Sequence, residues 1–179
     1  MRTKNLFLLL TLPLIIVACE KQNKENTPTL DEYDVRLEAE YLVAEYWGDE
    51  FTPGVDNYSV IIAENEFKMD LGGGSLTEGS YYCLDLYGPL YEGPDGGEIK
   101  LPHGTYTLNT DSENRLWTMS WAYSGYRETN ENGESYDPYL YDNATLVVDA
   151  EGATFECFIE GVEHRVRFNG EATIIDARY

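Results

Sequence analysis

From residue 35 onward the chain alternates apolar and polar side chains with a period of two, in short runs separated by turn residues. Successive side chains of an extended strand point to opposite faces, so this period makes one sheet face apolar and the other polar. Leu37, Ala39, Tyr41 and Val43 alternate with Glu38, Glu40 and Leu42, and the run 58–64 is rich in β-branched residues. The pattern returns over 81–87, 105–108, 115–123, 146–148, 155–159, 162–168 and 172–175. Aromatic and β-branched side chains, which suit a pleated and half-buried surface, concentrate in these runs. One ambiguity stands over 31–46, where Leu37, Tyr41 and Ala44 also match helical spacing.

Turn chemistry separates the runs. Asn169-Gly170 tolerates the positive φ of a type I′ turn and is the strongest hairpin signal. With tight turns expected at 150–152 and 160–162, residues 144–176 read as a four-stranded antiparallel meander. Gly72-Gly73-Gly74, the run 93–97 and the run 130–133 read as loops. Many short strands with frequent turns define an all-β fold; the expectation is an antiparallel β-sandwich, with a closed β-barrel as the alternative.

The first residues are of another kind. Arg2 and Lys4 precede an apolar stretch from Leu6 to Val17, too short for a membrane-spanning helix, which ends in Ile16-Val17-Ala18-Cys19. That is the pattern of a secretory signal. Its ending resembles the lipobox of bacterial lipoproteins, which implies cleavage before Cys19 and a lipid on that thiol. Acyl chains contribute about 0.8 kcal/mol per buried methylene, so several on one residue anchor a protein durably. Residues 20–34 are polar and cannot bury enough apolar surface to offset their ordering entropy, so they read as a tether. The expected organisation is a signal peptide over 1–18, a tether over 19–34 with lipidated Cys19, and one β-domain over 35–179.

A second resemblance rests on elements in a fixed order: Ala44-Glu-Tyr-Trp-Gly-Asp49, Asp56-Asn-Tyr58, Tyr82-Cys-Leu-Asp-Leu-Tyr87, Leu101-Pro-His-Gly-Thr-Tyr-Thr107 and Gly161-Val-Glu-His-Arg-Val-Arg-Phe-Asn-Gly170. Together they resemble a module of uncharacterised lipoproteins from Bacteroides-type bacteria, over residues 40–175. The resemblance implies an address at the bacterial outer membrane and a β-rich fold, and carries no catalytic residues. Acidic residues directly after the cysteine favour the outer face in such lipoproteins. Here Glu20 is followed by Lys21, so the membrane face stays open.

The formal charge is −21, and it grows more negative once Arg2 and Lys4 leave with the leader. Such a surface repels phosphate backbones, which excludes nucleic acid as a partner. Besides Cys19 there are Cys83 and Cys157. An exported pair can form a disulfide, but alternation puts Cys157 on the face of Phe155 and Ile159, and Cys83 with Tyr81 and Asp85. Separate thiols are the expectation.

Candidate chemistry is sparse. His103, in a turn between Pro102 and Gly104, would have to find a metal or acid partner to act; an exposed turn residue is the plainer reading. His164 shares a face with Val162 and Val166, which predicts a hydrogen-bonded, partly buried imidazole. The zinc-protease helix, the nucleophile elbow, the phosphate-cradling glycine loop and the dinucleotide fingerprint are all absent from the sequence. A glycosidase would need two carboxyls at a set separation, for which Asp85, Asp137 and Asp142 are candidates; spacing alone supplies no such geometry. Loops 95–98 and 130–134 offer oxygen donors for calcium but lack the calcium-loop spacing. No metal and no cofactor is expected.

Trp117, Met119, Trp121 and Tyr123 fall on one face of a single run, with Thr118, Ser120 and Ala122 on the other; this strip reads as core rather than as a sugar platform. If a ligand surface exists, Tyr126, Tyr136, Tyr139 and Tyr141 near turns are its candidate contacts. The expectation is therefore a non-enzymatic binding or accessory module of the cell envelope. Its partners would be the membrane, through the anchor, and a glycan or envelope protein. A carbohydrate-binding surface lipoprotein, a carboxylate-based hydrolase and an adhesion or assembly subunit are the alternatives.

Overall fold

The computed structural model describes residues 33–70, 73–94, 96–132, 134–135 and 138–178. The lipobox with Cys19, the tether before residue 33, and Tyr136 and Asp137 lie outside these residues. The chain is all-β, and the described residues contain no helix. Its strands are β1 (Val35–Ala39), β2 (Tyr41–Gly48), β3 (Asp56–Ala63), β4 (Lys68–Asp70), β5 (Gly73–Ser75), β6 (Gly79–Gly88), β7 (Gly104–Asn109), β8 (Thr118–Ser120), β9 (Gly125–Thr129), β10 (Asn143–Val148), β11 (Gly152–Ile159), β12 (Val162–Asn169) and β13 (Thr173–Asp176). The ambiguous stretch around Leu37 and Tyr41 is strand, as alternation requires.

One curled mixed sheet runs β1-β12-β11-β10-β7-β8-β6-β3-β2-β13, with β9 on β6, while β4 and β5 form a separate hairpin. Most pairings are antiparallel; β1–β12, β13–β2 and β7–β8 are parallel. The two ends of this order are joined by the chain itself. Only Glu40 separates β1 from β2, and residues 170–172 separate β12 from β13. The β1/β12 pair therefore bends and continues as the β2/β13 pair, its register moving by one residue from Val35↔His164 to Thr173↔Val43. A ribbon of two bent strands thus belongs to both halves of the sheet. The arrangement combines the facing layers of a sandwich with the curl of a barrel.

The predicted four-stranded meander is corrected here. β10, β11 and β12 do run antiparallel in sequence, but β13 leaves them for β2. The physical reason is that the free edge of β12 is already taken by β1. Asn169-Gly170 still turns the chain, with Gly170 at φ 120°, yet it turns it across the sheet instead of back along it.

The core lies between the halves. Leu42, Ala44, Val60, Ile62, Leu84 and Leu86 from one half pack with Leu146, Phe155, Ile159 and Val166 from the other. Tyr82 on β6 meets Phe155 on β11 with ring centroids 5.8 Å apart, and Phe155 meets Tyr141 at 5.3 Å. A second, smaller cluster of Ala63, Phe67 and Tyr81 sits on the outer face of β3 and β6. Cys83 joins this outer cluster while Cys157 is buried in the main core, and both thiols are free. Alternation had separated them correctly.

The aromatic run 115–123 is the other departure. Its strand shrinks to Thr118–Ser120, preceded by Trp117 at φ 63°, a left-handed turn conformation. Met119 is fully buried and Trp117 packs against the core, its ring 5.1 Å from that of Tyr106. Trp121 and Tyr123 are exposed, so the expectation of a single buried strip fails for those two.

Candidate functional site

A concavity lies where the bent ribbon crosses the sheet. Its volume is about 350 Å³, within the range of small-molecule sites. Four pieces of chain build it: the start of β2, the segment 98–103, the β10–β11 turn, and the bend from Gly170 into β13. Polar and charged groups supply part of its lining, and Leu42, Ile99, Leu101, Val148, Ala153, Ala172 and Ile174 supply the aliphatic rest. These residues continue the main core, so the cavity is a gap in that core opening to the surface.

Alternation explains the walls. Leu42, Val148 and Ala153 are inward positions close to the ends of their strands. Gly152 closes the tight turn at φ 150°; a Cβ there would collide with the carbonyl oxygen of Phe168 on β12. The Asp149 Oδ1 fixes the same turn by accepting the N–H of Glu151 at 2.8 Å and of Gly152 at 3.1 Å. Backbone hydrogen bonds Asp149 N to Gly152 O and Gly170 N to Glu151 O tie the turn to the bend.

The rim is charged. Lys100 Nζ lies 3.0 Å from Glu171 Oε1 and 3.6 Å from Glu98 Oε1, which raises the lysine pKa. All three side chains are exposed, so the pairs add little stability. His103 also lines the rim, exposed as its turn position predicted, and among the described residues it is hydrogen-bonded to none of the rim carboxylates. Among the described residues no group of three or more His, Cys, Asp or Glu could hold a metal ion. The loop beginning at Asn130 uses its own polar groups: Asn130 Oδ1 accepts the N–H groups of Asn132 and Glu134.

The tyrosines singled out near turns are placed differently from one another. Tyr141 is fully buried against Phe155, and its hydroxyl donates to the Cys83 carbonyl at 3.4 Å. Tyr126 is buried, 5.0 Å from Tyr82 between ring centroids, and donates to Glu128 Oε1 at 2.6 Å. Neither offers a surface to a ligand, because a tyrosine at a strand end can turn its ring inward as readily as outward. Tyr139 is exposed, and Tyr136 lies outside the described residues.

Two polar groups in the interior went unrecognised or half-recognised in the sequence. The Tyr82 hydroxyl lies 2.9 Å from His164 Nδ1, joining β6 to β12 through the core. Burial raises the tyrosine pKa and lowers that of His164, so the neutral pair is favoured. On the outer face, Glu45, Ser59 and Asp85 stand side by side on β2, β3 and β6. Burial raises both carboxyl pKa values, offset at Asp85 by the Asn57 amide donating to Oδ1 at 2.7 Å. Glu45 Oε1 and Asp85 Oδ2 are buried without a hydrogen-bond partner. Asp142, the other described carboxylate candidate, is exposed.

Comparison of the chain with known protein families, curated proteins and solved structures finds no match.

Proposed function

We propose that this chain is a non-enzymatic binding module of the bacterial envelope, held at the outer membrane by lipid on Cys19. Its ligand is a small, mainly aliphatic molecule taken into the cavity under the bent ribbon. The observation carrying this reading is the cavity itself: about 350 Å³, lined by Leu42, Ile99, Leu101, Val148 and Ile174 together with polar and charged groups. That combination suits binding by apolar burial, with the rim fixing orientation.

Calorimetric titration of the chain carrying Cys19→Ser with 1-octanol tests it. Saturable one-to-one binding is expected, abolished by Ala172→Trp, which fills the cavity from its exposed side. Heat that never saturates, or an unchanged affinity in the filled variant, overturns the reading. Carbohydrate binding is the second reading, favoured by the exposed Phe51, Trp121 and Tyr123. It calls for binding that survives Ala172→Trp and is lost with Tyr123→Ala.

A further inference from the structure

The walls and rim of the bend cavity differ in a way that selects among aliphatic ligands. Resting on the proposed binding role, we infer that the ligand is an aliphatic cation: a short hydrocarbon body carrying an amine or quaternary ammonium head. Among the described residues no Phe, Tyr or Trp lines the cavity to offer the flat rings on which sugars and aromatic ligands stack. A flexible hydrocarbon chain can pack against Leu42, Leu101 and Ile174.

The head group is set by charge. Glu98, Asp149 and Glu171 face one lysine or arginine among the described residues, Lys100, which already sits between two of them. Asp149 commits Oδ1 to two backbone N–H groups, and its second oxygen is unengaged among the described residues. The rim is thus negative after Lys100 is counted. A carboxylate or phosphate head would meet repulsion there, and a positive head would meet unpaired carboxylate oxygens next to the hydrocarbon walls. The overall charge of −21 draws cations toward the surface in the same sense.

Three probes of equal chain length test the inference on the Cys19→Ser chain: octyltrimethylammonium, 1-octanol and octanoate, each below its aggregation limit. Octyltrimethylammonium is expected to bind about five-fold tighter than 1-octanol, the scale of one exposed ion pair, and octanoate more weakly than 1-octanol. The differences should shrink in 0.5 M salt, because the rim is exposed. Shortening the cation from octyl to hexyl should weaken it by about four-fold per methylene. Glu98→Gln with Glu171→Gln, both exposed positions, leaves Asp149 against Lys100 and a rim of no net charge, so the preference for the cation over octanoate should collapse. Octanoate binding as tightly as octyltrimethylammonium, or a preference unmoved by the double substitution, overturns the inference while leaving the cavity as a binding site. Failure of all three probes to bind overturns the cavity as a site and the inference with it.

Discussion

Replacing Tyr82 with Phe isolates a side-chain polar contact that crosses the core from β6 to β12. The ring contacts with Tyr126, Phe155 and His164, at 5.0, 5.8 and 5.9 Å, are kept, and only the hydroxyl is lost. His164 is buried, so its Nδ1 is left without its hydrogen-bond partner. An orphaned buried polar atom costs about 1–3 kcal/mol, and no cavity cost is added because the ring volume is unchanged. Urea unfolding followed by tryptophan fluorescence should show a loss of that size, with the slope unaltered. His164→Ala should cost more, since it also empties volume, and the double variant should cost less than the sum of the two singles. A Tyr82→Phe loss below about 0.5 kcal/mol, or strict additivity, refutes the cross-core hydrogen bond.

Acidity separates this pair from the outer-face carboxyls. The lowered His164 pKa means the unfolded state takes up its proton first, so stability is lost as pH falls from about 6.5 toward the folded value; His164→Gln should flatten that decline in pH-resolved unfolding. Glu45 has the opposite sign: its raised pKa penalises the folded state once pH rises above the unfolded value, so Glu45→Gln should stabilise at pH 7, with the gain vanishing below about pH 4. Gly152→Ala should unfold the chain or cost upwards of about 3 kcal/mol, because the new methyl strikes the Phe168 carbonyl at a φ that side chains avoid; circular dichroism melting reads this. Burial pushes the Cys83 thiol up to about 11 and raises Cys157 further, so a thiol reagent at pH 8 should label neither in the native state and both in urea.

Alternation made most strands and inward positions legible, because burial on one sheet face writes a period of two directly into the residues. Leu84 and Leu86 inward against Cys83 and Asp85 outward is the plainest case. The bend was not legible. Asn169-Gly170 reports only that the chain turns, and whether β13 returns to β12 depends on β1, more than a hundred residues earlier. Trp121 and Tyr123 misled for a related reason: alternation holds only while the chain stays extended, and β8 ends at Ser120. The cavity was hidden for the same cause as the bend: Val148 and Ile174 belong to ordinary strand runs, Leu42 alternates on the side of Glu38 and Glu40, and only the fold brings them together. His103 alone pointed toward it, as a turn histidine next to a strand. Glu45 and Asp85 drew no notice as a pair, because only the β2–β3–β6 register sets them in one row.

Methyl-resolved NMR of the chain titrated with 1-octanol tests the binding role most directly. The expected result is a saturable set of shifts centred on the methyl groups of Leu42, Ile99, Leu101, Val148 and Ile174, with the exposed rings of Trp121 and Tyr123 undisturbed. Shifts centred on those rings, or methyl groups that do not move at saturating 1-octanol, contradict it.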